Sequence, residues 1–267
     1  MREVRRVIIR RSRLVAVNLL VLGSLCFSAC GGSFPAPQSF SPDAARYHSV
    51  LSERAEAIKS LSGELGVEIW EGGDRVAIRQ LFAARPPQQL RMDTLTPFEQ
   101  PLATLIYNDQ LLALHDIEKG RFSVGGASPE LFERLTRVRV SPAEMSALLS
   151  GQTPRIQRSG GVVEWDSGKG RALLTLTRGD ERQRIFFEES TRTPRLIELY
   201  RAGELTARVS LADYTAQEPR LPQRLRVEVP KAEVRVDIKL KDFTLNPDLP
   251  EVAFEIKPPP GLTVTEF

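Results

Sequence analysis

Between residues 64 and 124, and again from residue 155 onward, apolar and polar side chains alternate with a period of two. The clearest stretch is AEVRVDIKLKD (232–242), in which Val234, Val236, Ile238 and Leu240 alternate with charged residues. This pattern is typical of antiparallel strands with one buried face and one solvated face. No 20–50-residue repeat and no regular alternation of helix and strand interrupts it, so the pattern argues against a doubly wound α/β fold.

Short alternating runs, separated by turn-forming residues, mark the candidate strands. They are 64–70, 75–82, 89–95, 102–107, 110–116, 120–124, 155–158, 161–166, 171–178, 182–188, 195–201, 204–213, 222–229, 232–241 and 252–257. A long antiparallel sheet curls and tends towards closure. The sequence therefore predicts a mainly β fold, an unclosed antiparallel β-barrel made from a curved sheet of about 11 strands.

Three segments have helical spacing. Residues 42–60 repeat apolar side chains every three or four positions, and Ser41-Pro42 resembles a helix start. SPELFERLTRV and SPAEMSALLSG both begin with Ser-Pro and predict helices at 129–138 and 142–150, the second ending at Gly151. We expect these helices to form a lid over the concave apolar face of the sheet.

An apolar cavity between lid and sheet is the natural site for an apolar ligand. Its predicted lining comes from the inward faces of the early strands. These residues are Val67, Ile69, Val76, Ile78, Leu90, Met92, Leu105 and Leu112.

The N-terminus is typical of an export signal. Six arginines lie within residues 2–13, and an uncharged run follows from Leu14 to Ala29. Phe27-Ser28-Ala29-Cys30 resembles the lipobox of bacterial lipoproteins, which predicts cleavage after residue 29 and lipidation of the Cys30 thiol. A plain secretory signal or a membrane anchor are the alternatives. Residues 30–43 are rich in Gly, Pro and Ser and predict a flexible tether to a domain at 44–267.

Cleavage would change the charge of the protein. The chain has 37 basic and 34 acidic residues, and removal of six arginines and one glutamate leaves 31 and 33, a net charge of −2. The basic pI is thus a property of the signal and gives no reason to expect nucleic-acid binding. Cys26 lies within the signal, so no disulfide is expected in the mature chain.

Residues suited to catalysis are scarce. His48 and His115 are the only histidines, and no metal-ligand spacing, nucleophile motif or phosphate-binding loop surrounds them. We therefore expect neither an enzyme nor a protein with a metal or another cofactor.

Three stretches resemble the LolA/LolB family of lipoprotein carriers and receptors. FEIKPPPGLTV (254–264) is similar to the closing segment of the family, AARPPQQLRMD (83–93) to its strand–RP–strand turn, and YNDQLLALHD (107–116) to a hairpin in which this chain lacks the usual aromatics. The resemblance implies an unclosed barrel with a helical lid that holds acyl chains without catalytic residues.

The resemblance also implies roles for two parts of the chain. Arg85 matches the arginine that contacts the lid in the soluble carrier, and Pro97 and Phe98 match a loop that projects towards the bilayer in the anchored receptor. Glu99 stands where that loop has glycine. A lipobox favours the receptor, whereas Arg85 favours the carrier, and an uncharacterised lipoprotein branch is a further alternative.

The sequence thus predicts a monomeric outer-membrane lipoprotein with its domain in the periplasm. Gly31, rather than Asp, after the lipidated cysteine favours the outer membrane where the enteric sorting rule applies. Its expected partners are the membrane, reached through the lipid anchor, an acylated lipoprotein or other lipid, and a periplasmic carrier. An envelope-stress sensor, another interaction protein or a structural member of an envelope complex are the alternatives on the same fold.

Overall fold

A computed structural model describes residues 33–154, 156 and 160–267. In this part of the chain, one continuous sheet contains fourteen strands. They are β1 (Leu61–Glu71), β2 (Asp74–Arg85), β3 (Gln89–Leu95), β4 (Pro101–Asn108), β5 (Leu111–Asp116), β6 (Arg121–Gly126), β7 (Val162–Asp166), β8 (Arg171–Arg178), β9 (Glu181–Glu188), β10 (Thr193–Arg201), β11 (Glu204–Tyr214), β12 (Pro222–Val229), β13 (Val234–Leu245) and β14 (Val264–Glu266).

The strand order is β14-β6-β5-β4-β3-β2-β1-β13-β12-β11-β10-β9-β8-β7. Consecutive strands pair as antiparallel hairpins from β1 to β6 and from β7 to β13, and the pairing of β1 with β13 joins the two halves of the sheet. The sheet ends at β14 and β7, which do not pair with each other. The prediction of a mainly β, unclosed antiparallel sheet is therefore confirmed; its fourteen described strands exceed the 11 or so expected of the barrel and are one fewer than the candidate runs.

The helices are α1 (Ala44–Ala57), α2 (Pro129–Thr136) and α3 (Pro142–Leu149). The predicted start of α1 was wrong by two residues, because the side chain of Asp43 accepts a hydrogen bond from the amide of Ala45 and caps the helix. Ser128 caps α2, and Ser141 and Glu144 form a capping box on α3. Three helices at the expected places thus cover the sheet.

Successive turns alternate between two ends of the barrel. We call the end with turns 86–88, 109–110, 167–170, 189–192 and 215–221 the lower rim, and the end with turns 72–73, 96–100, 117–120, 179–180, 202–203 and 230–233 the upper rim. Helix α1 follows the lower rim. There, the Tyr47 hydroxyl donates to Glu189 at 2.8 Å and Arg54 donates to the carbonyl of Arg220 at 2.6 Å.

The predicted strand at 252–257 was wrong. Residues Glu251–Phe254 form a short 3-10 turn that packs outside β3 and β4, with Phe254 buried. Pro258, Pro259 and Pro260 follow and have no amide hydrogen for a strand ladder. The chain rejoins the sheet only at β14, which pairs with β6 in parallel rather than in the antiparallel sense expected throughout. The candidate strand at 155–158 lies mostly outside the described residues.

Candidate functional site

A cavity of about 270 Å³ lies between the concave face of the sheet and helices α2 and α3. Its lining is predominantly apolar and comes from β1–β5, β13, the lid helices and the residues that follow α2. The lining residues are Leu65, Val67, Ile69, Ile78, Gln80, Met92, Thr94, Ala103, Leu105, Leu114, Phe132, Leu135, Thr136, Val138, Met145, Leu149, Val236 and Ile238. The size and composition suit part of a hydrocarbon chain better than a charged ligand.

The cavity opens at the upper rim. Lining residues nearer the lower rim, such as Met92 and Leu105, are buried, whereas Ile69 and Ile78 near the upper rim are half-buried. Val76 is directly opposite Ile69 and is 54% exposed. Exposure therefore rises along the strands towards the upper rim, where a ligand would enter.

A small polar group lies on the cavity wall. The side-chain amide of Gln80 donates to the Thr94 hydroxyl at 3.0 Å, across the β2–β3 pair. Both residues line the cavity, and both belong to the half-buried part of its wall. This pair could accommodate the carbonyl end of a bound acyl group while the apolar wall holds its chain.

Five of the residues expected to line a cavity do so: Val67, Ile69, Ile78, Met92 and Leu105. The other three need correction as lining residues. Leu90 and Leu112 are buried in the core near the lower rim, beside the point where the Ser146 hydroxyl of α3 donates to the carbonyl of Gln89. Val76 lies beyond the cover of the lid and faces solvent, because it is close to the β1–β2 turn.

Sequence reasoning missed the contribution of distant elements. Val236 and Ile238 belong to the clearest strand pattern in the chain, but their place in the cavity depends on the pairing of β13 with β1. The apolar faces of α2 and α3 supply Phe132, Leu135, Met145 and Leu149. Their helical spacing was a usable signal, since a lid must turn its apolar face to the sheet.

The contacts of Arg85 within the described residues differ from the predicted contact with the lid. It lies on the outer face of β2, because its neighbour Ala84 faces the core. Its guanidinium donates to the carbonyl of Leu249, pairs with Glu251 at 2.5 Å and lies over the Phe254 ring at 5.4 Å. Arg85 therefore fixes the C-terminal segment to the outside of the sheet instead of contacting the lid.

A different arginine joins the lid to the sheet. Arg137, directly after α2, pairs with Glu71 of β1 at 3.5 Å across the upper rim. The two side chains are 54% and 50% exposed, so solvent weakens the pair. Its position beside the opening makes it a candidate latch for α2.

The loop between β3 and β4 projects at the upper rim, and Phe98 at its tip is 86% exposed. The Thr96 hydroxyl accepts hydrogen bonds from the amides of Phe98 and Gln100, at 3.2 and 3.1 Å, which gives the loop a defined shape. Pro97 precedes the tip and is exposed as well. The loop thus presents an aromatic ring to solvent beside the opening of the cavity.

Glu99 is turned away from this tip. Its carboxylate pairs with Arg79 of β2 at 2.7 Å, and its φ angle of 64° is in the left-handed region that glycine adopts most easily. Arg79 also holds Glu64 at 2.7 Å. The charge of Glu99 is therefore directed back to the outer face of the sheet, which leaves Phe98 as the leading side chain of the loop.

A second cavity, of about 410 Å³, lies between helices α2 and α3 and the upper ends of β8–β11. Charged residues dominate it, and several of them pair with one another. Glu181 binds Arg178 at 2.6 Å and Arg201 at 3.0 Å, and Glu133 lies 3.6 Å from Arg139. This internal pairing leaves the apolar cavity as the stronger candidate site.

Within the described residues, no group of three or more His, Cys, Asp or Glu side chains is arranged to hold a metal ion. His115 is half-buried on β5, with its ring 6.1 Å from that of Phe122. No helix in the same part of the chain is both long and apolar enough to cross a membrane.

The comparisons with known proteins identify the fold. A LolA superfamily protein from Nitrosomonas europaea superposes with a TM-score of 0.57 at 14% identity, covering 81% of this chain and 98% of that one. A DUF1329 family protein from Desulfovibrio piger gives 0.61 at 12% identity, covering 80% and 98%. A domain from Vibrio parahaemolyticus, assigned to outer membrane lipoprotein sorting, gives 0.59 at 11% identity, covering 78% and 94%.

No family model matches the sequence. No curated protein matches it either. The likeness thus lies in the three-dimensional structure: the chain has a LolA-like fold, and the resemblance noted in the sequence is supported at the level of the fold.

Proposed function

We propose that the protein is a lipid-anchored lipoprotein of the cell envelope that binds acyl chains of lipoproteins or other lipids. The observation that carries the proposal is the apolar cavity between sheet and lid, which opens at one rim of a LolA-like fold. Its walls offer burial to hydrocarbon and one polar pair, Gln80 and Thr94, to an acyl carbonyl. Such a protein acts by holding and releasing its ligand, without chemistry on it.

The anchor in this proposal is Cys30. The residue lies outside the described part of the chain, so its support is the lipobox-like Phe27-Ser28-Ala29-Cys30 and the charged and apolar segments before it. Gly31 after the lipidated cysteine favours the outer membrane, with the domain in the periplasm. We expect Cys30→Ser to abolish palmitate labelling and to leave the precursor unprocessed. Labelling that persists in this variant would contradict the anchor.

Phe98 and Pro97 form the proposed transfer loop. An aromatic ring that is 86% exposed beside the opening is suited to contact the apolar surface of the donor or the acceptor of an acyl chain. Burial of the ring there would contribute about 2 kcal/mol, enough to guide an encounter but not to anchor the protein. Phe98→Glu should therefore impair transfer of acylated cargo and leave folding and ligand binding intact.

Ligand binding is tested with a fluorescent fatty-acid probe. The probe should bind saturably and be displaced by an acylated peptide but not by the same peptide without its acyl chain. Ala103→Phe places a ring in the cavity and should abolish binding, whereas Ala77→Phe on the outer face of β2 is the matched control. Equal binding by both variants, or no saturable binding by the natural protein, would reject the cavity as the acyl site.

A further inference from the structure

The segment before α1 is attached to one end of the barrel. The amide of Phe34 donates to the carbonyl of Ser167 at 2.9 Å, and the indole of Trp165 donates to the carbonyl of Phe34 at 2.7 Å. The Phe40 ring packs edge-on against Trp165, with centroids 5.5 Å apart. We call residues 34–40 the N-terminal clamp. It holds the start of the described chain against the β7–β8 hairpin.

The clamp lies at the lower rim. Ser167 belongs to the β7–β8 turn, and α1 continues from the clamp along the same rim as far as Arg54. The opening of the cavity and the Phe98 loop are at the upper rim. The two rims are separated by the full length of the strands, which is 11 residues in β1.

The chain between the proposed anchor and the clamp is short. Three residues, 31–33, separate Cys30 from Phe34, so the four intervening peptide units span at most about 14 Å. Eleven residues of strand extend about 36 Å, or roughly 25 Å along the barrel axis at the usual tilt. With the clamp in place, the lipid on Cys30 cannot reach the upper rim.

We infer that the N-terminal clamp orients the domain with its lower rim next to the bilayer that holds Cys30. The opening of the cavity and Phe98 are then directed away from that bilayer. The inference rests on the proposed lipidation. Under it, the surface that Phe98 meets is not the anchoring membrane, and acyl chains enter the cavity from the aqueous side.

The apolar side chains of the upper rim agree with this direction. Phe98, Val76 and Ile117 are 86%, 54% and 36% exposed and lie at or near the turns of three neighbouring hairpins. Together they form an apolar border on the β1–β6 side of the opening. In the inferred orientation this border faces the aqueous periplasm, where an acylated molecule brought by a partner would arrive.

The orientation is tested on the full chain, expressed in a bacterial host, purified in its lipidated form and placed in vesicles of phosphatidylethanolamine and phosphatidylglycerol. A fluorescent noncanonical amino acid is introduced at Ser167 on the lower rim or at Gln100 on the upper rim, both exposed positions. Nitroxide-labelled lipids in the vesicle then report the distance to the bilayer. We expect loss of most of the fluorescence at 167 and no loss at 100.

Variants of the clamp complete the test. Phe34→Ala combined with Phe40→Ala should release the clamp and reduce the difference between the two labels, whereas Val162→Ala, on the exposed edge of β7, should preserve it. Circular dichroism checks that each variant is folded. Quenching at 100 equal to that at 167 in the natural protein would overturn the orientation alone. Failure of the protein to float with the vesicles would instead overturn the anchor, and with it both proposals.

Discussion

The two halves of the sheet have the same alternating pattern but differ in how their concave faces are filled. On the β8–β10 side, below the polar second cavity, Tyr47 and Leu51 of the fourteen-residue helix α1 are buried in the core, and the Tyr47 ring lies 5.0 Å from that of Phe187. We call this side the filled half, because α1 packs directly on its apolar face. Over β1–β5, two eight-residue helices form the cover and leave a cavity of about 270 Å³. The strand pattern alone therefore does not decide whether the concave face becomes core or binding site; the covering helix does.

The filled half also accommodates a buried polar contact. Burial, together with the hydrogen bond to Glu189, raises the pKa of the Tyr47 hydroxyl, so the group remains protonated and continues to donate. Arg46 lies 3.6 Å from the same carboxylate and balances its charge. The packing of α1 is thus fixed by specific partners as well as by apolar contact.

The largest expected effect compares truncations in the two halves. Phe187→Ala removes a fully buried ring from the filled half and should lower the free energy of unfolding by about 3–5 kcal/mol. Ile78→Ala on the half-buried cavity wall should cost less, about 1–2 kcal/mol, since part of its surface already faces open space. Urea unfolding measures both, and equal losses would show that the cavity half is packed as tightly as the other.

The same enlargement should have opposite consequences in the two halves. Ala172→Phe overfills the core beside Phe187, against which α1 packs, and should destabilise the protein by about 1–3 kcal/mol. Ala103→Phe should leave the melting temperature nearly unchanged, because its ring enters space that the natural protein leaves open. A large fall in the melting temperature of Ala103→Phe would contradict the assignment of that space as a ligand cavity.

A smaller effect concerns the lid of the cavity half. Arg137→Gly removes the pair with Glu71 and also relieves a residue at φ 65°, so stability should change by less than about 1 kcal/mol. The rate of entry of a fatty-acid probe should nevertheless rise, because α2 loses a contact beside the opening. Glu71→Gln should raise the rate similarly, and the double variant should add little. If the double variant instead showed the combined increase in entry rate of the two single variants, the two residues would not act as one latch.

The smallest contrast concerns two carboxylates, Glu64 on the outer face of β1 and Glu181 at the upper end of β9, beside the second cavity. The hydrogen bond from Arg79 lowers the pKa of Glu64 in the cavity half, and hydrogen bonds from Arg178 and Arg201 lower that of Glu181 in the filled half. A lowered folded-state pKa stabilises the protein above the unfolded value of about 4.3, and this contribution is lost as the pH falls through the folded value.

Glu64→Gln and Glu181→Gln should therefore each reduce the loss of stability on acidification, measured by urea unfolding between neutral pH and about pH 3. Similar changes in the two variants would show that the halves differ in how their interiors are packed and not in how these carboxylates are stabilised. A change confined to Glu64→Gln would show instead that the charges of the cavity half, which include the Glu99 contact to the Phe98 loop, are specialised too.

The face of each side chain was predictable from the sequence, whereas its depth in the cavity was not. Period-two alternation placed Val67, Met92 and Leu105 on the concave side, where they line the cavity. Leu90 and Leu112 share that face but lie near the lower rim, where α3 reaches the sheet. The crossing point of a helix depends on tertiary packing, and local periodicity contains no information on it.

Long-range contacts explain the remaining errors. Arg85 lies beyond the candidate strand at 75–82, and its partners at 249–254 are more than 160 residues away in the sequence, so no local pattern indicated its contacts. The latch candidate Arg137 likewise depends on how α2 meets β1. By contrast, Pro97 and Pro101 lie on either side of the loop tip, and the expectation of a projecting Phe98 needed no distant partner.

The unpaired edges β7 and β14 give the barrel a mechanical property. In a closed barrel, every increase in girth must break ladder hydrogen bonds or change the shear of the strands. Here the gap between the edge strands β7 and β14 can widen while each described hairpin keeps its own register. A change in the girth of this sheet therefore requires only small changes of twist, distributed over its strands, and breaks no ladder hydrogen bond.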